Sequence, residues 1–153
     1  MNFIADTDDT YHIEKASAYL SVGRGIKTVE FVRKMKDNCL WFVEAKALFP
    51  DEVDKSKQSD WIKSICEKFL RSLNLYCTVK LNVVVDTLPC KFVENNVRFV
   101  LVIKEQSLGR CEKIQKTLKE RLLPYLRIWK TSILVINQEI AIKHGIAIAK
   151  GDK

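Results

Sequence analysis

The chain has 153 residues, of which 47% are hydrophobic and 9% aromatic, and its formal net charge is +7. A chain of this length and composition can bury a core of its own, which argues against disorder and against a need for stabilising disulfides or metals. We therefore interpret residues 1–153 as a single domain. The positive charge favours a polyanion such as nucleic acid as partner, but a solvated lysine-rich surface would give the same charge.

The sequence contains no sign of export or of membrane insertion. No apolar run approaches the ~18 residues of a membrane span, and the first ten residues lack the basic start and apolar stretch of a secretory signal. We expect a cytoplasmic protein without a membrane partner. The five cysteines include no pair at zinc-binding spacing, and their odd number predicts free thiols.

The first predicted elements lead into a β-hairpin. Residues 10–20 predict a strand that continues into a helical turn. Residues 28–34 alternate between two faces and predict a strand. The turn signal Asp37-Asn38 separates it from a second and more hydrophobic strand, Cys39–Lys46.

An amphipathic helix is predicted after the hairpin. Ser59 is placed to cap it, and residues 60–73 bring their apolar side chains onto one stripe. The pattern leaves the end of this helix open as far as Leu81. The face opposite the stripe is predicted to hold Lys63, Glu67, Lys68 and Arg71.

The rest of the chain alternates between buried strands and helices. The apolar runs in residues 98–104 and 132–136 are typical of strands that are buried on both faces. Residues 112–123 predict a helix between them, which Pro124 should kink or split. Asn137 should cap a short final helix that ends at a glycine.

This order of elements predicts an α/β fold in which helices flank a central mixed β-sheet that is at least partly parallel. Strands that are covered on both faces need a large apolar core. The predicted core residues are Trp41, Val43, Ile62, Ile65, Phe69, Val100, Val102, Leu118 and Leu134.

A charged pair ends the second strand of the hairpin. Glu44 and Lys46 point to the same side of the strand, after an almost wholly apolar stretch. Charges in such a place are costly unless they are paired or used. Glu30 lies on the same face if it pairs with Glu44 or Phe42, and on the opposite face if the loop is the four residues 35–38. The sequence leaves this register open.

Two carboxylates and a lysine on one face match the needs of a Mg²⁺ site. Mg²⁺ prefers oxygen ligands and commonly uses one or two protein carboxylates, while water and phosphate complete its shell. Such an ion lowers the pKa of a bound water and neutralises phosphate charge. Lys46 would orient the water or stabilise the transition state.

This arrangement resembles the restriction-endonuclease-like PD-(D/E)xK nuclease superfamily. The resemblance rests on the Glu44-Ala45-Lys46 triplet at a strand end, on an acid one hairpin upstream, and on the helix and buried strand that follow. It covers roughly residues 14–103 and implies a restriction-endonuclease-like core. The same segment is also similar to small uncharacterised bacterial proteins.

The resemblance assigns a role to each candidate residue. Glu30 and Glu44 would bind Mg²⁺, Lys46 would assist the attacking water, and Glu14 would add a further metal-binding carboxylate. The chain departs from the family pattern, since Glu30 stands where an Asp is usual and Val29 where a Pro is usual.

Three hypotheses for function follow. The first is a Mg²⁺-dependent phosphodiester hydrolase that acts on DNA or RNA. The second is a non-catalytic module of the same fold that binds nucleic acid or protein. The third is a structural subunit, such as a homodimer formed through the C-terminal helices. Metal-dependent cleavage separates the first from the others, and a steep salt dependence of DNA binding separates the second from the third.

Overall fold

The computed structural model describes residues 2–3, 9–22, 25–51, 53–88 and 96–148. Helices alternate with strands through most of this part of the chain, as the hydrophobic periodicity predicts. The elements are β1 (Asn2–Phe3), β2 (Thr10–Tyr11), a 3₁₀ helix (Ile13–Lys15), α1 (Ser17–Ser21), β3 (Phe31–Lys34), β4 (Cys39–Lys46), α2 (Lys55–Lys80), β5 (Asn96–Ile103), α3 (Leu108–Ile128), β6 (Ser132–Asn137), α4 (Gln138–Lys143) and β7 (Ala147–Ile148).

The central sheet has five strands in the order β2-β3-β4-β5-β6. Strands β2, β3 and β4 are antiparallel neighbours, whereas β4, β5 and β6 run parallel. The parallel pairs are connected through α2 and α3, since a parallel neighbour requires a crossover connection. Strands β1 and β7 form a separate antiparallel pair. The predicted α/β fold with a mixed sheet flanked by helices is confirmed.

The two faces of the central sheet bury different helices. On one face, α2 and α3 pack over the larger core, in which the rings of Phe69 and Phe99 stack with their centroids 4.8 Å apart. On the other face, α4 and β7 cover a smaller cluster that includes Trp41, Val43 and Val100. Glu44 lies on the α2 face, because it alternates with Val43 along β4.

The predicted core is confirmed with one adjustment. Eight of the nine residues are buried, and Leu134 is half-buried against the smaller cluster. Strand β4 has the predicted bounds, and β5 and β6 differ from prediction by one or two residues at their ends. Strand β3 begins only at Phe31, so residues 28–30, which the sequence predicts as part of this strand, precede it.

The helices are longer than the sequence predicts. Helix α2 is capped by Asp54 and not by the predicted Ser59. The side chain of Asp54 accepts a hydrogen bond of 2.9 Å from the backbone N–H of Lys57. The first turn of α2 is exposed and polar, so apolar periodicity gives no signal there. At its other end, α2 continues to Lys80, within the range that the pattern left open.

Helix α3 runs through Pro124 to Ile128 as one element. Of the two predicted effects of Pro124, a kink or a split, the split is therefore wrong. Pro124 lies on the exposed face of the helix, where solvent can hydrate the carbonyl that has lost its N–H partner. Leu122 and Leu126 on either side are buried and hold the helix against the sheet. The short helix α4 is capped by the Asn137 side chain, as predicted.

The described cysteines are free thiols, in agreement with prediction, and Cys90 lies outside the described residues. Burial raises the pKa of the Cys66 thiol to about 11. A thiol with such a pKa stays protonated and is a poor nucleophile. The four cysteines described as free thiols are Cys39, Cys66, Cys77 and Cys111.

Candidate functional site

The hairpin register brings Glu30 next to the part of β4 that carries Glu44. Strand β3 pairs with β4 from Phe31, opposite Val43, to Lys34, opposite Leu40, and Glu30 directly precedes this ladder. The backbone N–H of Glu30 donates a hydrogen bond of 3.1 Å to the carbonyl of Val43. The pairing corresponds to a loop from Met35 to Cys39, the first of the registers that the sequence allows. The charges of Glu44, Lys68 and Lys46 all act on the Glu30 carboxyl group, so Glu30 lies near them.

Glu44 is a fully buried carboxylate that two lysines hold by one oxygen. Its Oε1 accepts contacts of 2.8 Å from the ammonium groups of Lys46, two residues further along β4, and of Lys68 on α2. Lys46 is 33% exposed and Lys68 is 15% exposed. A buried carboxylate is strongly destabilising when it lacks a partner, so these two cations account for its tolerance in the core.

The second oxygen of Glu44 has no partner. Oε2 is buried, and no described residue donates a hydrogen bond to it. An unsatisfied buried acceptor costs about 1–3 kcal/mol, and more when the group is charged. Such an atom is a reason to look for a ligand, because a bound cation or a donor group would remove this penalty.

Glu30 has a strongly perturbed carboxyl group. Its pKa is raised to about 7, first by burial and then by the negative charges of Glu44 and Glu14. The positive charges of Lys68 and Lys46 oppose this shift in part. Glu30 therefore holds a proton for about half of the time at neutral pH. A pKa near the working pH is typical of functional carboxyl groups.

Glu14 belongs to the 3₁₀ helix and its side chain is exposed, unlike Glu44. Its charge contributes to the raised pKa of Glu30. The structure thus brings Glu30, Glu44 and Lys46 near one another, with Glu14 acting on Glu30 through its charge. The predicted metal-binding residues Glu14, Glu30 and Glu44 do not form a group of three that could hold a metal by themselves.

Lys68 is the site residue that the sequence analysis misplaces. We expected it on the solvent face of the helix, but its ammonium lies against Glu44 instead. The signal available was indirect, since the buried Glu44 needs a cation and Lys68 directly precedes the fully buried Phe69. A long lysine stem reaches sideways from the edge of an apolar stripe, and helical periodicity alone does not predict this.

A buried serine ties the segment that carries Glu30 to α2. The hydroxyl of Ser72 accepts a hydrogen bond of 2.8 Å from the backbone N–H of Val29 and donates one of 2.7 Å to the carbonyl of Lys68. Ser72 is fully buried. It joins the residue next to Glu30 to the helical turn that supplies Lys68, so it fixes the relative position of both.

The donor atoms suit Mg²⁺ better than a softer metal. Among the described residues, no three or more His, Cys, Asp or Glu side chains are arranged to hold a metal by themselves. Mg²⁺ needs only one or two protein carboxylates when water and phosphate complete its shell. Glu44, through its second oxygen, and Glu30 are the two carboxylates that would serve such an ion here.

Comparison of the chain with protein-family models, with curated proteins and with solved structures finds no significant match. The resemblance to the PD-(D/E)xK superfamily and its core therefore stays a prediction that rests on the residues. Within the described part of the chain, no helix is both long and apolar enough to cross a membrane.

Proposed function

We propose that the chain is a Mg²⁺-dependent phosphodiester hydrolase that cleaves nucleic acid. The observation that carries this proposal is the state of Glu44, a fully buried carboxylate. Two lysines hold one of its oxygens, and the other has no hydrogen-bond partner in the part of the chain that the structure describes. Glu30 lies near it, in the segment that directly precedes β3. The net charge of +7 supports a polyanionic substrate, since a basic protein attracts phosphates.

Each side chain has a role that follows from its position. Glu30 and Glu44 would hold the ion. When bound there, Mg²⁺ would supply an acidified water and neutralise charge on a phosphate. Lys46 is the more exposed of the two lysines, so it orients the attacking water and stabilises negative charge on the phosphate. Lys68 is more buried and keeps the Glu44 side chain in place.

A cleavage assay tests the proposal. Single- and double-stranded DNA and RNA are incubated with the protein in Mg²⁺, in Mn²⁺ or in chelator. We expect cleavage only with metal, and we expect Glu44→Gln to abolish it, since this variant keeps the shape of the side chain but removes its charge. Lys46→Ala should reduce turnover more than metal binding.

The matched control is Glu139→Gln, because Glu139 is an exposed carboxylate in a surface pair with Lys143. It should cleave as the unchanged protein does. Circular dichroism of each variant confirms that it is folded. Cleavage that persists in folded Glu44→Gln would reject this site, and cleavage in chelator would reject the role of metal.

A non-catalytic nucleic-acid-binding module is the second candidate. It is favoured by the two lysines, which already neutralise Glu44 without a metal. The same panel distinguishes the two functions, because such a module would retain oligonucleotides in a salt-dependent manner without cutting any of them.

A further inference from the structure

A cleft between the first half of α2 and helix α3 lies outside the proposed hydrolase site. It encloses about 490 Å³, within the range of about 300–1,000 Å³ that is typical of small-molecule sites. Four cationic side chains line it, and none of the described residues that line it is acidic. The four cationic residues are Lys55, Arg110, Lys113 and Arg121.

The two arginines of the cleft are held in position by neighbouring groups. The guanidinium of Arg110 donates to the carbonyl of Pro50 at 3.3 Å and lies 5.3 Å from the centre of the Phe49 ring. The guanidinium of Arg121 donates to the hydroxyl of Ser59 at 3.4 Å. A cation whose side chain is already ordered loses less entropy when it binds an anion.

The two lysines of the cleft add charge without a partner of their own. Neither Lys55 nor Lys113 forms an ion pair within the described part of the chain. Four positive charges around one cavity, with no carboxylate among its described lining residues, attract an anion with several charges. Arginine forks match phosphate oxygens in particular.

Apolar side chains provide the rest of the cleft lining. Phe49, Ile62 and Ile114 line it, and the Phe49 ring is braced edge to face by Trp61 at a centroid distance of 4.9 Å. A cavity that offers both phosphate-binding cations and an apolar aromatic surface suits a ligand with both kinds of group.

We propose that this cleft binds a nucleotide, with its phosphates against the four cations and its base against Phe49, Ile62 and Ile114. The volume holds a single nucleotide unit and the charge matches two or more phosphates. This inference does not depend on the proposed hydrolase, whose residues lie just before β3, on β4 and on the sheet-facing side of α2.

Calorimetric titration of the full chain tests the proposal. The probes are ADP, GDP, CDP and UDP, with inorganic diphosphate, adenosine and a single-stranded DNA decamer as comparisons. Chelator is present throughout, so that no divalent cation bridges the ligand to Glu30 or Glu44. We expect at least one nucleoside diphosphate to bind about tenfold more tightly than diphosphate or adenosine, because only the nucleotide contacts both cations and apolar residues.

Variants then locate the binding site. Lys113→Ala and Arg121→Ala should each weaken nucleotide binding by about tenfold, since each removes a charge-assisted contact. Lys116→Ala is the matched control, because Lys116 is an exposed cation on the same helix that does not line the cleft. Glu44→Gln should leave nucleotide binding unchanged, which keeps this test separate from that of the hydrolase.

Four results would overturn the proposal. The first is no binding of any nucleoside diphosphate. The second is an equal loss in Lys116→Ala, which would reduce the effect to overall charge. The third is diphosphate binding as tight as that of the nucleotides, which would leave the apolar lining without a role. The fourth is binding of the decamer alone, which would make the cleft a polymer surface.

Discussion

At the scale of single residues, Glu44 is the costliest group in the site. Its burial is complete, and two ammonium groups contact the same oxygen. The other oxygen has no hydrogen-bond partner among the described residues. Any ligand that satisfies Oε2 of Glu44 gains what the folded chain lacks there.

Removal of one lysine tests how far Glu44 depends on its pair of cations. Lys68→Met keeps the stem of the side chain but removes the ammonium, so the buried carboxylate retains only Lys46. We expect the free energy of unfolding to fall by about 1–3 kcal/mol in urea denaturation. Lys63→Met is the control, since Lys63 is exposed on the same helix. A loss in Lys68→Met no greater than in the control would show that Lys46 alone neutralises Glu44.

The raised pKa of Glu30 predicts a pH dependence of stability. The folded chain binds this proton with a pKa of about 7, against 4.5 for an ordinary glutamate, so protonation stabilises the fold. This contribution is complete below pH 4.5 and is lost as the pH rises through 7. Urea denaturation over this pH range gives the free energy of unfolding of the unchanged protein and of Glu30→Gln. The difference between the two free energies measures the contribution of the Glu30 proton. A difference that stays constant with pH would contradict the raised pKa.

The sequence predicts part of this site and leaves part of it open. Glu44 and Lys46 share a face because side chains in a strand alternate, and this holds whatever the strand pairs with. The side of Glu30 depends on the turn after Lys34, and the turn residues fit more than one loop length. Lys68 is distant in sequence from its partner, so only the packing of α2 on β4 reveals the contact.

At the scale of elements, the site depends on how the hairpin is attached to α2. Glu44 and Lys46 come from β4, Glu30 from the segment before β3, and Lys68 from α2. Ser72 on α2 bonds to the segment that carries Glu30. The segment with Thr28 and Val29 is buried before β3 begins, so it cannot shift without exposing core. The relative placement of hairpin and helix is therefore part of the site itself.

Ser72→Ala tests this attachment. The substitution leaves the backbone N–H of Val29 buried without an acceptor, which should lower the free energy of unfolding by about 1–3 kcal/mol. Ser56→Ala is the control, because Ser56 lies exposed in the first turn of α2 and should change stability by less than about 0.5 kcal/mol. Equal urea midpoints for the two variants would show that the bridge does not hold the hairpin.

Periodicity predicts the existence of the long elements but not their ends. The interiors of α2 and α3 carry apolar stripes that the sequence displays directly. Their first turns are polar and their limits depend on local bonds, such as the cap from Asp54. Periodicity also does not predict that α3 continues past Pro124. The helix continues because Pro124 is exposed while Leu122 and Leu126 are buried.

At the scale of the whole molecule, the fold assembles distant parts of the chain at one place on the sheet. The 3₁₀ helix contributes Glu14 and α2 contributes Lys68. The hairpin contributes Glu44 and Lys46. The alternation of helices with buried strands predicts the parallel half of the sheet. It does not predict the pairing of β1 with β7, because strands of two residues carry no periodic pattern.

The central claim is that Glu30 and Glu44 together hold a divalent cation. Titration of Mn²⁺ followed by electron paramagnetic resonance tests it most directly, since the signal of free Mn²⁺ falls as the ion binds. We expect a saturable site near pH 8, where Glu30 is ionised, which weakens as the pH falls below about 7 because the proton competes with the ion. Glu44→Gln should abolish this site and Glu139→Gln should preserve it. Binding that is absent from the unchanged protein, or that survives in Glu44→Gln, would contradict the account.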